Sequence, residues 1–259
     1  MKKKKLELTI AIIVFNNYEN VKKTVDTIET HTRSDIKKKI YLIDNSTGEN
    51  IINLESIINY KDTIIIKNKK NLGFAKANNV ILKNLESEYH AIVNPDIVLK
   101  EDSFYKILNF MDKKKVDMAI PRLANPDGTI QLDYRREISL FDILIRPFKG
   151  KIFKKRYMFH TMQDHDFSVP FEVPFGQGSF LVIRTNLMKK LDGFDENFFM
   201  YLEDADLCKR VNKISKLIYF PGTTVTHLWS RGSHRNIKLL YFHICSLIKY
   251  FKKWGLKFI

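Results

Sequence analysis

Five groups of polar residues in this chain have types and spacings that can do chemistry. Asp44 follows the apolar Tyr41-Leu42-Ile43 and precedes Asn45-Ser46-Thr47-Gly48. A carboxylate placed there can accept hydrogen bonds from a nucleobase or ribose, or close an Asx turn that caps the next helix. Asn71-Leu72-Gly73-Phe74-Ala75-Lys76-Ala77-Asn78-Asn79 opens a helix with one glycine and little side-chain bulk. The N–H groups of a helix start suit a diphosphate, although the Gly-x4-Gly-Lys-Ser/Thr spacing of a P-loop is missing. Asp96 ends Asn94-Pro95-Asp96 after an apolar run. A hard divalent ion bound mainly by substrate phosphates and water needs only one or two protein carboxylates, so Asp96 is either a metal ligand or a solvated strand end.

The other two groups lie far along the chain. Glu203-Asp204-Ala205-Asp206 follows the aromatic run Phe198-Phe199-Met200-Tyr201. Acids entering a helix are stabilised by its dipole, which is the plain structural reading. A carboxylate set against apolar rings also has its pKa raised, which suits a general base near neutrality. Asp206, two positions on, points elsewhere on a helix and is expected to serve structure. His227 ends a short apolar run and is followed by Trp229 and Arg231. A lone histidine is commonly structural; paired with Asp96 across a cleft, it would complete a metal site.

The elements that must position these residues can be read from periodicity. Strands are expected at 8–14, 39–43, 63–67 and 90–93, separated by helices at 19–30, 51–60 and 75–85. Such alternation predicts an α/β fold, a Rossmann-like mostly parallel sheet with right-handed crossovers and helices on both faces. Ligands then bind beyond the carboxyl ends of the strands, where Asp44, the Asn71–Asn79 segment and Asp96 fall. The second half is less regular. Asn125-Pro126-Asp127-Gly128 marks a turn between short strands near Ile120 and Ile130. Residues 141–168 read as a mobile loop or short helices, 178–183 as a strand, 204–213 as a helix, and 217–220 and 225–227 as strands. A last helix is expected over about 236–254.

Composition narrows the class. With 44 Lys+Arg against 29 Asp+Glu the net charge is +15, and no acidic residue follows Asp206. A basic end favours a polyanion, either nucleic acid or an anionic lipid surface. No zinc-finger spacing or RNP-like strand supports nucleic acid. The two cysteines, Cys208 and Cys245, form no Cys-x-x-Cys pair, and free thiols in a reducing compartment are expected. Lys2–Lys5 and the apolar run to Phe15 imitate a secretory signal, but Glu7 interrupts the run and Asn16-Asn17-Tyr18 follows it. A buried first strand is therefore expected. No segment approaches the roughly 20 apolar residues of a membrane span, so the protein is expected to be cytoplasmic. Ile237, Leu239, Leu240, Phe242, Ile244, Leu247, Ile248, Phe251 and Trp254, alternating with Lys238, Lys249, Lys252 and Lys253, read as a basic, aromatic-rich amphipathic helix. It either lies in an anionic membrane interface on the inner face of the cell membrane or packs on the body of the protein.

In their order along the chain, these segments resemble the family 2 glycosyltransferases, within them the rhamnosyltransferase-like branch. The resemblance runs from about Thr9 to His227. It rests on Leu42-Ile43-Asp44-Asn45-Ser46, Asn71-Leu72-Gly73-Phe74-Ala75 with Asn78-Asn79, Asn94-Pro95-Asp96, Asn125 to Gln131, Gly193 to Phe199, and Glu203 to Cys208. It implies a GT-A fold over 1–230, with a nucleotide-binding half (1–120) and an acceptor and catalytic half (121–230), then a basic, aromatic helical extension (231–259). Asp44 would contact a pyrimidine base, with Asn71, Gly73, Asn78 and Asp96 completing the nucleotide site. Asp96 matches the metal-binding aspartate of the family's Asp-x-Asp motif, whose first acid is Asn94 here; His227 would be the second protein ligand of Mg²⁺ or Mn²⁺. Asp204 matches the catalytic base of an inverting transfer. Gly178, Glu203 and Trp229 are assigned to the acceptor. The implied donor is dTDP-L-rhamnose, with UDP-sugars as the alternative, and the implied acceptor a lipid-linked or cell-surface polysaccharide precursor. A non-catalytic nucleotide-sugar-binding protein and a nucleic-acid-binding protein are the rival classes.

Overall fold

The computed structural model describes residues 7–48, 51–148, 150–228 and 237–259. Leu8–Val14 (β1) is buried at every position, as a strand covered on both faces must be. Tyr18–His31 (α1) buries Tyr18, Val21, Val25 and Ile28 along one helical stripe. Lys38–Asp44 (β2) and Thr63–Lys67 (β3) follow. The helix expected between them is absent: 51–60 holds only a 3-10 turn, Leu54–Ser56. Asn53 Oδ1 accepts from Glu55 N–H at 3.2 Å and Ser56 Oγ donates to the Asn53 carbonyl at 2.7 Å. Such local bonds compete with helix propagation.

Phe74–Asn79 (α2) is shorter than expected, and a 3-10 turn at Leu82–Asn84 replaces its end. Tyr89–Val93 (β4) and Ile97–Val98 (β5) flank the Asn94-Pro95-Asp96 turn. Ser103–Lys114 (α3), capped by the Asp102 side chain, was not anticipated from periodicity. Met118–Ala124 (β6) and Tyr134–Arg135 (β7) follow. Over 141–168 the short-helix alternative holds, with Leu140–Ile145 (α4) and Lys154–His160 (α5). Then come Phe171–Glu172 (β8), Phe175–Gly176 (β9), Phe180–Arg184 (β10), Thr185–Lys190 (α6) and Glu203–Asn212 (α7). The two last strands expected are one, Leu217–His227 (β11), whose register shifts between Phe220 and Thr224. Pro221 and Gly222 sit there and cannot sustain a regular ladder. Ile237–Trp254 (α8) ends the described structure but for a short tail.

The main sheet has the order β3-β2-β1-β4-β10-β6-β11-β5, with β8 on β11. β1 to β4 are mutually parallel, as expected. β10 enters antiparallel to β4 and β6, so the second half of the sheet is mixed. α1 and α3 cover one face; α2, α6, α7 and α8 cover the other.

α7 and α8 are joined at a buried acid. Asp206 is fully buried; its Oδ2 accepts from Arg210 Nε at 2.8 Å, and its Oδ1 from Lys253 Nζ at 2.7 Å and Trp254 Nε1 at 2.9 Å. This is the structural role expected of it. Removing one partner of a buried ion pair leaves uncompensated charge, at a cost of about 3–5 kcal/mol when fully enclosed. Lys253 reaches water, so Asp206→Ala should lose about 2–3 kcal/mol in urea unfolding. A loss under about 0.5 kcal/mol, the range of an ordinary surface change, would show that this carboxylate does not hold α8.

Candidate functional site

Strand pairing brings Asp96 and His227 together. Two residues of β5 pair with the end of β11, His227 opposite Ile97, and Leu228 N–H donates to the Asp96 carbonyl at 2.9 Å. His227 Nε2 then stands 3.3 Å from Asp96 Oδ1. Gln131 Oε1 lies 3.0 Å from His227 Nδ1, and Gln131 Nε2 donates to the His227 carbonyl at 3.1 Å. The ring orientation is thus set from its far side, as it is for metal-ligating histidines. Asp96 Oδ1 is buried with no hydrogen-bond partner. A carboxylate oxygen left in that state beside an imidazole nitrogen fits a divalent cation. Asn94 carries no charge into the site; its N–H donates to the Ser179 carbonyl at 2.8 Å.

That bond leads to the second acid. Next to Ser179, Gly178 N–H donates to Asp204 Oδ2 at 2.9 Å, while Ala205 N–H donates to Oδ1 at 2.8 Å. A Cβ on Gly178 would stand 3.1 Å from the Asp204 Cβ, so a side chain there would press on the carboxylate's own carbon. Asp96 and Asp204, 108 residues apart by their numbering, therefore flank the same entry to β10. Burial raises the pKa of Asp204, and the two amides and the Arg135 charge oppose it. Its neighbour Glu203 is buried, its Oε2 has no partner, and burial with the Asp204 charge pushes it well above the ordinary range. Of two adjacent carboxyls, the one with amide donors keeps the charge and the other keeps the proton.

The backbone leading to Asp204 is strained. Tyr201 and Leu202 both have left-handed conformations, φ 72° and 64°, which cost bulky residues free energy and persist only where surroundings impose them. Here α8 imposes them. Ser246 Oγ donates to the Met200 carbonyl at 2.8 Å, Lys249 Nζ to the Asn197 carbonyl at 2.6 Å, Phe242 packs at a tilt against Phe199, and His243 meets the Tyr201 ring edge-on.

At the other end, Asp44 Oδ1 accepts from Ser46 N–H at 2.9 Å, the Asx turn that its sequence context allows. Asn45 ties this loop to the next, donating to the Gly73 carbonyl at 3.0 Å and accepting from Asn68 Nδ2 at 2.8 Å. Beside them opens a cleft of about 510 Å³ lined by Ser46, Thr47, Gly48, Ile51, Lys67, Asn68 and Lys69. Asn71 Oδ1 accepts from Gly73 N–H at 2.8 Å, and Asn78 is buried with its Oδ1 lacking a partner. The start of α2 is not open to a ligand at its first amide: Phe74 N–H donates to the Phe199 carbonyl at 2.7 Å. Gly73, at φ +79°, would place a Cβ only 2.2 Å from that same carbonyl oxygen. Its glycine is required by the close approach of the 199 loop. Trp229 lies outside the described residues.

Three residues near the two acids carried no sequence signal. Asp133 is buried with Oδ2 unpartnered, and burial raises its pKa against the nearby charges of Arg135, His227 and Arg146. Arg135 and Arg146 both act electrostatically on Asp204 or are acted on by it.

Comparisons with known proteins bear on the family and the fold. Residues 9–192 match the family described as Glycosyl transferase family 2; the match ends before Glu203. Rhamnosyltransferase WbbL of Escherichia coli (strain K12) is 25% identical over 194 residues, 69% of this chain and 69% of that protein. The N-acetylglucosaminyl-diphospho-decaprenol L-rhamnosyltransferase of Mycobacterium tuberculosis (strain ATCC 25618 / H37Rv) is 27% identical over 68% of this chain and 62% of its own length. Among solved structures, the mannosyltransferase PcManGT from Pyrobaculum calidifontis in complex with GDP-Man and Mn²⁺ superposes with a TM-score of 0.64 at 14% identity, over 97% of this chain and 65% of that one. GalNAc-T7 with UDP, GalNAc and Mn²⁺ gives 0.64 at 15% identity, over 87% of this chain and 43% of that one. The chain thus spans less than two thirds of the mycobacterial relative and of both solved chains. The architecture is the GT-A fold.

The division of charge between the paired carboxyls can be measured. A carboxyl whose folded pKa is raised favours folding fully below its unfolded value, and that contribution is lost as pH rises above about 4.5, the ordinary glutamate value. Glu203→Gln removes the titration, so its Tm should exceed that of the wild type at pH 8 and approach it at pH 4.5. A variant that melts at or below the wild type at pH 8 would show that Glu203 is comfortably ionised.

Proposed function

The chain belongs to glycosyl transferase family 2, and from that premise we propose that it is an inverting, metal-assisted transferase moving L-rhamnose from dTDP-rhamnose onto a lipid-linked glycan precursor. The observation that carries this reading is the position of Asp204: an amide-held carboxylate across the entry of β10 from the Asp96–His227 pair. The donor follows the names of the two rhamnosyltransferase relatives, and the acceptor follows the diphospho-decaprenol in the name of the mycobacterial one. A UDP-sugar is the second reading of the donor, favoured by the UDP bound in GalNAc-T7.

In this mechanism the Asp44–Gly48 loop and the cleft beside it receive the nucleotide, with the Asn71–Asn79 segment shaping its inner wall. Asp96 and His227 would hold Mg²⁺ or Mn²⁺. When bound, the ion supplies positive charge to the departing diphosphate. Asp204 takes the proton of an acceptor hydroxyl. The hydroxyl oxygen bonds to the anomeric carbon from the face opposite the nucleotide, and the bond from that carbon to the diphosphate oxygen breaks. One displacement inverts the centre. Gly178 lets the acceptor approach backbone closely, and protonated Glu203 donates to an acceptor oxygen.

The lipid-linked acceptor makes membrane contact useful, and α8 is built for both roles weighed from its sequence. One face packs on the body through Ser246 and Tyr250. The opposite face exposes Ile237, Leu240, Tyr241, Ile244 and Ile248 beside the exposed Lys238 and Lys252. That combination suits an anionic membrane surface on the inner leaflet. Among the described residues no helix is long and apolar enough to cross a membrane.

Three measurements test these readings. Incubation with Mn²⁺ and a panel of nucleotide sugars should release nucleoside diphosphate from dTDP-rhamnose when acceptor is supplied. Asp204→Asn should keep donor affinity and lose about 10²–10⁴-fold in turnover; turnover near the wild-type rate would remove Asp204 as the base, and donor binding by the wild type without turnover on any acceptor would favour a non-catalytic scaffold. For the membrane, the protein should float with vesicles containing phosphatidylglycerol, and Ile244→Glu with Ile248→Glu should abolish flotation. Equal flotation of that double variant would take α8 out of the explanation.

A further inference from the structure

Two arginines of the acceptor half have no part in the mechanism above. Arg135 ends β7, and Arg146 opens the short 3-10 turn Arg146–Phe148 that follows α4. Arg135 stands 3.9 Å from the Asp133 carboxylate, beyond hydrogen-bond range, and 5.8 Å from the centre of the Phe175 ring. Arg146 makes no side-chain hydrogen bond or close ion pair among the described residues. A guanidinium carries five N–H donors in a fixed fork, so both arginines hold nearly their full donor capacity open.

Backbone pairing sets Arg135 beside the acid: Tyr134 lies opposite Gly176, and Gln177 N–H, next to Gly178, donates to the Asp133 carbonyl at 3.2 Å. Arg146 follows one turn after Asp142, whose carboxylate stands 3.3 Å from His160 Nδ1, and the His160 carbonyl accepts from Arg136 N–H at 2.9 Å. The Arg135 charge is the main influence pushing Arg146 down to about 10, ahead of burial. Both charges bear on His160 and on His243 of α8, and Arg146 lies within electrostatic reach of Asp204. Two like charges held together with open donors raise the energy of the empty site. An anion with several oxygens relieves that repulsion and accepts both forks.

The surroundings decide which anion. Arg146 lies between exposed apolar side chains, Leu144 at 70% and Phe148 at 45% exposure, and the segment continues through exposed Ile152 and Phe153. Across from it, His243 belongs to the helix whose outer face carries Leu240 and Ile244. The tail after that helix is bonded to α4, Leu140 N–H to the Lys257 carbonyl at 2.9 Å and Phe141 N–H to the Phe258 carbonyl at 3.1 Å. The arginine pair is therefore flanked by Asp204 on one side and apolar surface on the other. A nucleotide diphosphate has no use for that apolar flank. An acceptor in which a diphosphate joins a sugar to an isoprenoid chain has use for both.

We propose that Arg135 and Arg146 form the subsite for the diphosphate of an isoprenoid-diphosphate acceptor, holding it so that the sugar reaches Asp204 while the chain leaves over the apolar residues around Arg146. The assignment rests on the transferase reading, and the two can fail separately. Farnesyl diphosphate is the probe, titrated into the full chain already saturated with dTDP, or in a second series UDP, and Mn²⁺. It should bind, farnesol should not, and Arg146→Gln should weaken binding roughly tenfold or more while nucleotide affinity and Tm stay unchanged. Arg146→Lys, which keeps the charge but loses the fork, should fall between. Farnesyl diphosphate that competes with the nucleotide, or a loss of nucleotide affinity in Arg146→Gln, would overturn the proposal by placing the arginines on the donor. Equal binding of farnesol would overturn it by showing that the apolar surface alone accounts for affinity. Absence of nucleotide binding in the wild type, with farnesyl diphosphate still bound through Arg146, would instead sink the transferase reading and leave the subsite standing.

Discussion

The hydrogen bond from Gly178 N–H to the Asp204 carboxylate is the contact on which the site depends. Burial drives a carboxylate to neutralise itself by taking a proton, and a protonated Asp204 would bring no negative charge to the site. Two backbone amides and the nearby Arg135 oppose that tendency, while Glu203 next to it absorbs the proton that the pair would otherwise share. The donors are main-chain groups, so the arrangement is a property of the fold. It exists because β10 enters the sheet antiparallel to β4, which carries residues 178 and 179 past the Asn94–Asp96 turn and against the start of α7. The reversal of strand direction in the middle of the sheet is thus what brings the two halves of the chain to one place.

The price of that placement is visible in the backbone. Left-handed Tyr201 and Leu202 each cost of order 1–3 kcal/mol, and nothing in the 197–202 loop itself repays it. The compensation comes from α8, through two hydrogen bonds to loop carbonyls and two ring contacts, and α8 is in turn fixed by the buried Asp206. The acids of Glu203-Asp204-Ala205-Asp206 therefore divide three tasks within one turn of helix: burial pushes Glu203 toward its neutral form, two amides favour the charged form of Asp204, and Asp206 anchors the helix that holds the loop before them.

Much of the frame was legible in the sequence because local rules agree with the tertiary outcome. The run Leu8–Val14 reads as a buried strand rather than a secretory signal, and β1 is central. Asp44 and Asp96 fall at strand ends, and His227 faces Asp96 as the paired reading required. The helix expected over 51–60 failed because Asn53 and Ser56 bond their own backbone, a local competition that hydrophobic periodicity does not register. Gly73 was visible as a special residue, but its reason was not: the atom it must clear is the Phe199 carbonyl, more than a hundred residues away. Asp133, Arg135 and Arg146 gave no signal at all. Their types are ordinary for a surface, and only the folded chain shows that they surround Asp204.

The basic C-terminal end is where composition and structure differ most in meaning. Counted along the chain, its lysines look like one cationic patch for any polyanion. In the fold they are allocated. Lys253 neutralises Asp206 and Asp195, Lys257 pairs with Glu137 at 3.1 Å, and Lys249 caps the Asn197 carbonyl. Charges bound to acids in this way contribute little field to a distant partner, since each pair is close to neutral beyond a Debye length. What the end presents outward is instead a mainly apolar helical stripe with a few lysines at its margin. That surface is poorly matched to a nucleic-acid backbone, whose recognition rests on phosphate contacts, and well matched to a lipid interface, where apolar burial and a modest positive charge act together. The same helix that presents this stripe also holds the 197–202 loop that leads into α7 and Asp204, so the outer face of α8 and that carboxylate are connected through one loop.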